Sequence, residues 1–236
     1  MRQAIILVGG RGTRLGAATA ATPKPLLPID GERLFLDYVL AALARQGIED
    51  FILLAGFCGD QVEARYHGAR AGGAAVTVIS EPAPAGTAGA LHYAADLLEP
   101  EFLMLNGDCL FDFEVAPLVA ARGAGDLGAL ALRRMEDGAR YGNVELEGGR
   151  IRAFREKSGA AGPALISGGF YVLTPAVLGL IEAQPCSIET DVFPKLAARD
   201  QLAGAVFDGY FIDIGLPHTL EEARRDFPAR FGHLFS

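Results

Sequence analysis

Gln3-Ala4-Ile5-Ile6-Leu7-Val8-Gly9-Gly10-Arg11-Gly12-Thr13-Arg14-Leu15 begins as a short apolar run and turns abruptly into glycine. An apolar run of that length bounded by Gly suits a strand buried on both faces. Gly9, Gly10 and Gly12 let the backbone turn tightly and bring bare N–H groups against an anion. A phosphate cradle after the first strand is one reading, and a merely tight strand-to-helix turn is the other. Arg14 and, further on, Lys24 favour the cradle, because they supply charge that glycine cannot. No Gly-Lys-Ser/Thr follows, and Gly-x-Gly-x-x-Gly is incomplete, so the loop is neither a Walker A nor a dinucleotide fingerprint.

Outward from this loop, residues 50–55, 75–80 and 102–106 are further short apolar runs that end in or run into Gly, Ser or Asn. Between them lie helical patterns. Residues 34–46 place Leu36, Val39, Leu40 and Leu43 on one stripe and stop at Gly47, and residues 87–98 follow a glycine turn and end before Pro100. The alternation predicts an α/β fold with a parallel, doubly wound sheet. After a helix expected at 113–122 the texture changes to strands at 126–133, 142–146, 150–154 and 166–173, with Glu147-Gly148-Gly149 as a hairpin turn. Helical patterns recur at 175–183, 188–199 and 218–226, with a short strand at 210–213. We expect a single domain whose mixed, mostly parallel sheet runs through both halves.

The chain has 236 residues, 50% of them hydrophobic, enough to bury a large core and to exclude a disordered class. Charges, Gly and Pro interrupt every apolar run before it reaches the ~20 residues needed to span a bilayer. No secretory signal is legible at the N-terminus, so a cytoplasmic location is expected, with no membrane partner. Cys58, Cys109 and Cys186 lack metal-like spacings and read as free thiols. A net charge of −8 argues against a nucleic-acid partner, so any phosphate ligand must be met by local positive charge.

Lys24 lies in Thr22-Pro23-Lys24-Pro25-Leu26-Leu27-Pro28, where flanking prolines hold one long side chain in a defined direction. Phe102-Leu103-Met104-Leu105-Asn106-Gly107-Asp108 is a buried strand ending in a carboxylate at the edge where open α/β sheets bind ligands. Mg²⁺ prefers one or two carboxylates with phosphate oxygens and water, which makes Asp108 a candidate ligand and Asp213, in Tyr210-Phe211-Ile212-Asp213-Ile214-Gly215, a candidate second. A turn or helix-cap aspartate is the competing reading of each.

The glycine loop, with Lys24 ten residues after Arg14 in Pro-Lys-Pro-Leu-Leu-Pro-Ile, resembles the signature of the sugar 1-phosphate nucleotidyltransferases. The resemblance covers nearly the whole chain. It implies a Rossmann-like nucleotide-diphospho-sugar transferase fold, with residues 1–112 mainly binding nucleotide and 113–236 mainly the sugar phosphate. Arg14 would grip the β and γ phosphates, and Lys24 would neutralise charge at the α-phosphate. Asp108 and Asp213 would hold Mg²⁺. Leu7, Gly9, Gly10, Gly12, Thr13, Glu81, Gly86, Thr87, Asn106 and Gly107 would contact the nucleotide. Tyr141-Gly142-Asn143-Val144 and Phe154-Arg155-Glu156-Lys157 resemble acceptor-side motifs. There Gly142 and Glu156 would meet the sugar, and Lys157 would hold the attacking phosphate. Ser167 and Gly168 stand where relatives carry Asn before glycine.

The tail segments 187–196 and 207–217 are similar to the D-glycero-α-D-manno-heptose 1-phosphate guanylyltransferase branch, which implies GTP as donor. Mannose 1-phosphate, glucose 1-phosphate and N-acetylmuramate 1-phosphate stay open as acceptors. A non-catalytic nucleotide-sugar sensor is a further alternative, disfavoured because the acids and cations occur together. An NAD-dependent oxidoreductase is disfavoured by the cationic loop. No β-helical extension follows the catalytic unit, so a single activity is expected. Apolar helices near the C-terminus suggest a homodimer surface.

Overall fold

The computed structural model describes residues 1–10, 12–139, 141–155 and 162–235. Its elements run β1 (Gln3–Leu7), β2 (Pro28–Asp30), β3 (Arg33–Leu34), α1 (Phe35–Ala44), β4 (Asp50–Ala55), α2 (Gly59–Tyr66), β5 (Arg70–Ala71), β6 (Ala74–Ser80), α3 (Gly86–Gly89), β7 (Phe102–Asn106) and β8 (Cys109–Phe111). They continue with α4 (Val115–Ala121), β9 (Gly128–Met135), β10 (Asn143–Glu147), β11 (Arg150–Arg155), β12 (Ala164–Leu173), α5 (Phe193–Ala198), β13 (Leu202–Phe207), β14 (Phe211–Asp213) and α6 (Pro217–Phe231). Two compact units result. The first comprises Met1–Pro84, Leu105–Leu110 and the chain from Ile212 onward, and the second Ala85–Met104 and Phe111–Phe211.

In the first unit β1 and β4 pair in parallel, Gln3 opposite Asp50 and Leu7 opposite Leu54, and β4 pairs in parallel with β6. β5 closes the edge antiparallel to β6. Ile5, Ile6, Leu53 and Leu54 are fully buried, as a strand covered on both faces requires. α1 buries Phe35, Leu36, Val39, Leu40 and Leu43 and stops where Gly47 takes a φ of +88°, as its apolar stripe predicts. Asp37 fixes its start by accepting from the Leu34 N–H at 2.8 Å and from the Tyr66 hydroxyl at 2.8 Å. α6 packs Phe227 against Phe35 and Tyr38 and buries Leu220, Ala223 and Phe231. Its apolar face is thus spent inside the unit.

In the second unit the strand order is β10-β11-β13-β9-β12. β13 runs parallel to β9, Leu202 opposite Gly128, whereas β12 runs antiparallel to it. The pattern reading had no strand at 202–207, because Leu-Ala-Gly-Ala-Val-Phe is half Ala and Gly and shows no period. Gly204 is required there. A Cβ on it would lie 2.9 Å from both Leu132 Cδ1 and Leu146 Cδ1. The helix expected over 188–199 divides into a π turn at Ile188–Val192 and α5, whose second residue is Pro194. Proline has no N–H to continue the ladder, so a new helix starts there. The 175–183 pattern forms only a 3-10 turn at Pro175–Leu180. α2, expected by no pattern, forms over Gly-Asp-Gln-Val-Glu-Ala-Arg-Tyr with Val62 and Tyr66 as its buried face. Among the described residues, no helix is long and apolar enough to cross a membrane.

Candidate active site

The carboxyl ends of β1, β4, β6 and β7 deliver the first unit's chemistry to one place. Val8 donates to the Leu54 carbonyl at 2.9 Å, Phe57 to the Gly9 carbonyl at 3.1 Å, and Gly107 to the Leu7 carbonyl at 2.9 Å. These bonds leave no space for side chains. A Cβ on Gly9 would stand 2.9 Å from the Gly56 nitrogen and 3.1 Å from Glu81 Oε1, and one on Gly107 would stand 2.6 Å from the Leu7 oxygen. Leu7 and Asn106 end their strands half-buried, and Gly10 is exposed.

Gly12 adopts a φ of +61°, and a Cβ on it would meet Lys24 Cγ at 2.6 Å. The glycine loop therefore lies directly on the lysine stem. Thr19 ties the loop down by donating its hydroxyl to the Gly12 carbonyl at 2.8 Å. Lys24 opens a single 3-10 turn after an extended Pro23 and is buried. Its ammonium donates to Asp108 Oδ2 at 2.6 Å.

Asp213 ends β14 and accepts from the Gly215 N–H at 2.6 Å, while Ile214 donates to the Asp108 carbonyl at 3.0 Å. Ligand atoms of Asp108, Cys109 and Asp213 all lie within 4.8 Å of one another. Burial, and then the neighbouring Asp108 carboxylate, push the Asp213 pKa above the usual aspartate value, against the Gly215 N–H, Lys24 and Arg14. Arg14 reaches the same place, since a Cβ on Gly215 would lie 2.7 Å from Asp213 Oδ1 and 3.1 Å from Arg14 Nη2. The structure thus brings Arg14, Lys24, Asp108 and Asp213 together beside the glycine loop. It adds Cys109, Gly56 and Gly215, which no motif marked. Their value is proximity, and two of them stand beside marked acids in the sequence, Cys109 directly after Asp108 and Gly215 two residues after Asp213.

Gly86 and Thr87 lie in the second unit and serve its framework. Gly86 has a φ of +78°, and a Cβ there would fall 2.4 Å from the Cys186 carbonyl oxygen. Thr87 Oγ1 accepts from the Ile188 N–H at 2.8 Å. The second unit also contains a cavity of about 580 Å³ whose walls include Tyr141, Gly142, Phe154, Arg155 and Ser167, with Glu189 and Thr190 from the π turn. Gly142 and Ser167 both line it. Gly168 instead packs against a cluster of Phe rings, its would-be Cβ 2.6 Å from Phe111 Cδ1. Glu156 and Lys157 lie outside the described residues.

A paired carboxylate site flanked by two cations and a glycine loop suits a triphosphate with a divalent metal. The "Nucleotidyl transferase" family model matches residues 3–230. Mannose-1-phosphate guanyltransferase beta-B of Xenopus laevis is 36% identical over 223 residues, covering 91% of this chain and 61% of the relative. The chain therefore spans less than two thirds of that relative's length. D-glycero-alpha-D-manno-heptose 1-phosphate guanylyltransferase of Aneurinibacillus thermoaerophilus is 35% identical over 228 residues, covering 95% of this chain and 97% of the relative. The crystal structure of HddC from Yersinia pseudotuberculosis matches with a TM-score of 0.85 at 28% identity, covering 96% of this chain and 100% of that one. HddC complexed with GMP-PN matches at 0.84. With its glycine loop, cations and acids arranged on the matching fold, the chain belongs to the nucleotidyl transferase family.

Proposed function

We propose that the chain transfers a nucleotidyl group from GTP to a sugar 1-phosphate, D-glycero-α-D-manno-heptose 1-phosphate foremost, and releases pyrophosphate. The observation that carries this reading is the cluster of Asp108 and Asp213 with Lys24 bonded to Asp108 and Arg14 alongside. A sugar phosphate is already anionic at neutral pH and needs no base to attack the α-phosphorus. What it needs is positioning and relief of charge repulsion. Arg14 receives the leaving pyrophosphate and Lys24 offsets charge at the α-phosphate. Leu7, Gly9, Gly10, Gly12, Thr13, Glu81, Asn106 and Gly107 line the nucleotide, and Gly86 and Thr87 hold the neighbouring framework. Gly142, Ser167, Glu156 and Lys157 serve the acceptor, and Gly168 makes room behind them for the Phe111 ring.

Asp108 and Asp213 would hold Mg²⁺, and the raised pKa of Asp213 beside a second carboxylate is what a donor pair for a cation should show. The ion would add positive charge against the phosphates during transfer. GTP and manno-heptose are favoured because the Aneurinibacillus guanylyltransferase matches along its whole length, and the HddC structure with GMP-PN shares the fold. Mannose 1-phosphate is the second acceptor, from the 36% identity to the Xenopus protein. The reading takes the protein to act in the cytoplasm as a homodimer.

Pyrophosphate release with Mg²⁺ across five nucleoside triphosphates and heptose, mannose, glucose and N-acetylmuramate 1-phosphates tests the reading. Turnover with GTP and manno-heptose 1-phosphate, lost in Asp108→Asn, is the expected result. Turnover with another pair moves the substrate assignment, and silence in every well, with nucleotide-sugar binding retained, leaves a sensor.

A further inference from the structure

The π turn at Ile188–Val192 brings Glu189 and Thr190 to the cavity of the second unit, and Glu189 is anchored to the core. Its Oε1 accepts from the Tyr171 hydroxyl at 2.7 Å. Tyr171 is fully buried on β12, edge-on to the Phe193 ring at 4.9 Å. A buried hydroxyl needs a partner, and this one is satisfied by a carboxylate at the cavity wall. Glu189 itself is exposed, and its Oε2 takes no hydrogen bond among the described residues.

The turn that carries it is held from both sides. Ile188 donates to Thr87 Oγ1, Ser187 Oγ accepts from Thr190 at 3.3 Å, and Asp191 Oδ2 accepts from Ser187 at 2.7 Å. Glu189 has therefore lost much of its freedom before any ligand arrives, and binding through it loses correspondingly less entropy. An ionised carboxylate only accepts hydrogen bonds, so it reads hydroxyl donors and repels another carboxylate. Arg155, the other charged wall residue among the described residues, is already paired with Glu145.

We propose that Glu189, positioned by Tyr171, is the hydroxyl-reading specificity residue of the acceptor cavity. It selects the 1-phosphate of a neutral polyhydroxy sugar over one whose sugar carries a carboxylate. This rests on the acceptor role proposed above for the same cavity.

The test titrates mannose 1-phosphate and N-acetylmuramate 1-phosphate into wild type, Glu189→Ala, Glu189→Gln and Tyr171→Phe by calorimetry, beside KM values for both substrates in pyrophosphate release. Glu189→Ala should weaken mannose 1-phosphate about ten- to a hundredfold, the scale of a lost hydrogen bond to a charged group, with KM for the nucleotide within about twofold. Glu189→Gln should narrow the preference for the neutral sugar, and Tyr171→Phe should fall between wild type and Glu189→Ala. Glu189 is exposed, and an unchanged melting temperature in its variants separates recognition from folding. Wild-type affinity in Glu189→Ala, or an equal rise in both KM values, overturns the proposal. Glu189-dependent sugar-phosphate binding without turnover upholds it and sinks the transferase reading. Turnover with Glu189-independent binding does the reverse, and no sugar-phosphate binding by wild type sinks both.

Discussion

The 2.6 Å contact between Lys24 and Asp108 joins residues 84 positions apart, and each half carries its own prediction. Replacing either by a neutral isostere, Lys24→Met or Asp108→Asn, should lower kcat by about 10²–10³, the usual effect of removing one electrostatic stabiliser. Steady-state pyrophosphate release checks this, and a KM-only effect would assign the pair to binding. Gly12→Ala forces an L side chain into a φ of +61° and onto the lysine stem at 2.6 Å. It should lose roughly 1–3 kcal/mol of stability by urea denaturation and lower kcat as well, because Lys24 must move. Arg14, Lys24, Asp108 and Asp213 were legible because a loop of glycines, a proline-clamped lysine and strand-end acids are local patterns. Gly56 was not, since its part in the site comes from its approach to Gly9 across the sheet, and Cys109, directly after Asp108, read only as a thiol without metal-like spacing.

Among elements, strands with clear apolar runs and α1 with its stripe were legible, whereas β13 and the π turn were not. An Ala-Gly strand has no period to read, and its place beside β9 is decided by packing. Just before β9 begins, Asp126 is buried and takes paired hydrogen bonds from Arg150 at 2.7 Å each and one from the Gly123 N–H at 2.8 Å. Burial opposes ionisation of Asp126, but the Arg150 hydrogen bonds, the Gly123 N–H and nearby cations win, and its pKa falls below the usual aspartate value. Asp126→Ala removes the two-oxygen partner of Arg150, which among the described residues keeps only the exposed Asp200, and should destabilise the protein by about 1–3 kcal/mol. The pH dependence has a definite sign. With the folded pKa depressed, this stabilisation is complete above the unfolded aspartate value and is lost as pH falls through the folded one. Urea midpoints of wild type and Asp126→Asn, measured from pH 7 downward, should therefore converge below the ordinary aspartate range. A constant gap would contradict the assignment.

For the molecule as a whole, a net charge of −8 has to coexist with the phosphate-bearing ligands of the proposed function. Attraction therefore rests on the few cations at the glycine loop. A nucleotide that binds only the folded chain should raise its stability by about 2.7 kcal/mol at a hundred times Kd. Thermal shift with GTP and Mg²⁺ should show this for wild type and show most of it lost in Arg14→Ala. An equal shift in the variant would place the nucleotide elsewhere. At this scale the sequence was most informative about class, because charge, hydropathy and strand-helix alternation are sums over many residues.

Lys24 and Asp108 already satisfy each other, so neither is at full strength for a newcomer while the pair lasts. A phosphate that draws the lysine away uncovers the carboxylate for a cation, and a cation that takes the carboxylate frees the lysine for a phosphate. Under the proposed function, loading would then be an exchange of partners in which each arrival prepares the place of the other. By thermodynamic reciprocity, the factor by which metal tightens nucleotide equals the factor by which nucleotide tightens metal. Under the proposed function, the half-buried pair would thereby discourage half-filled states, in which a lone triphosphate or a lone ion occupies the site without its companion.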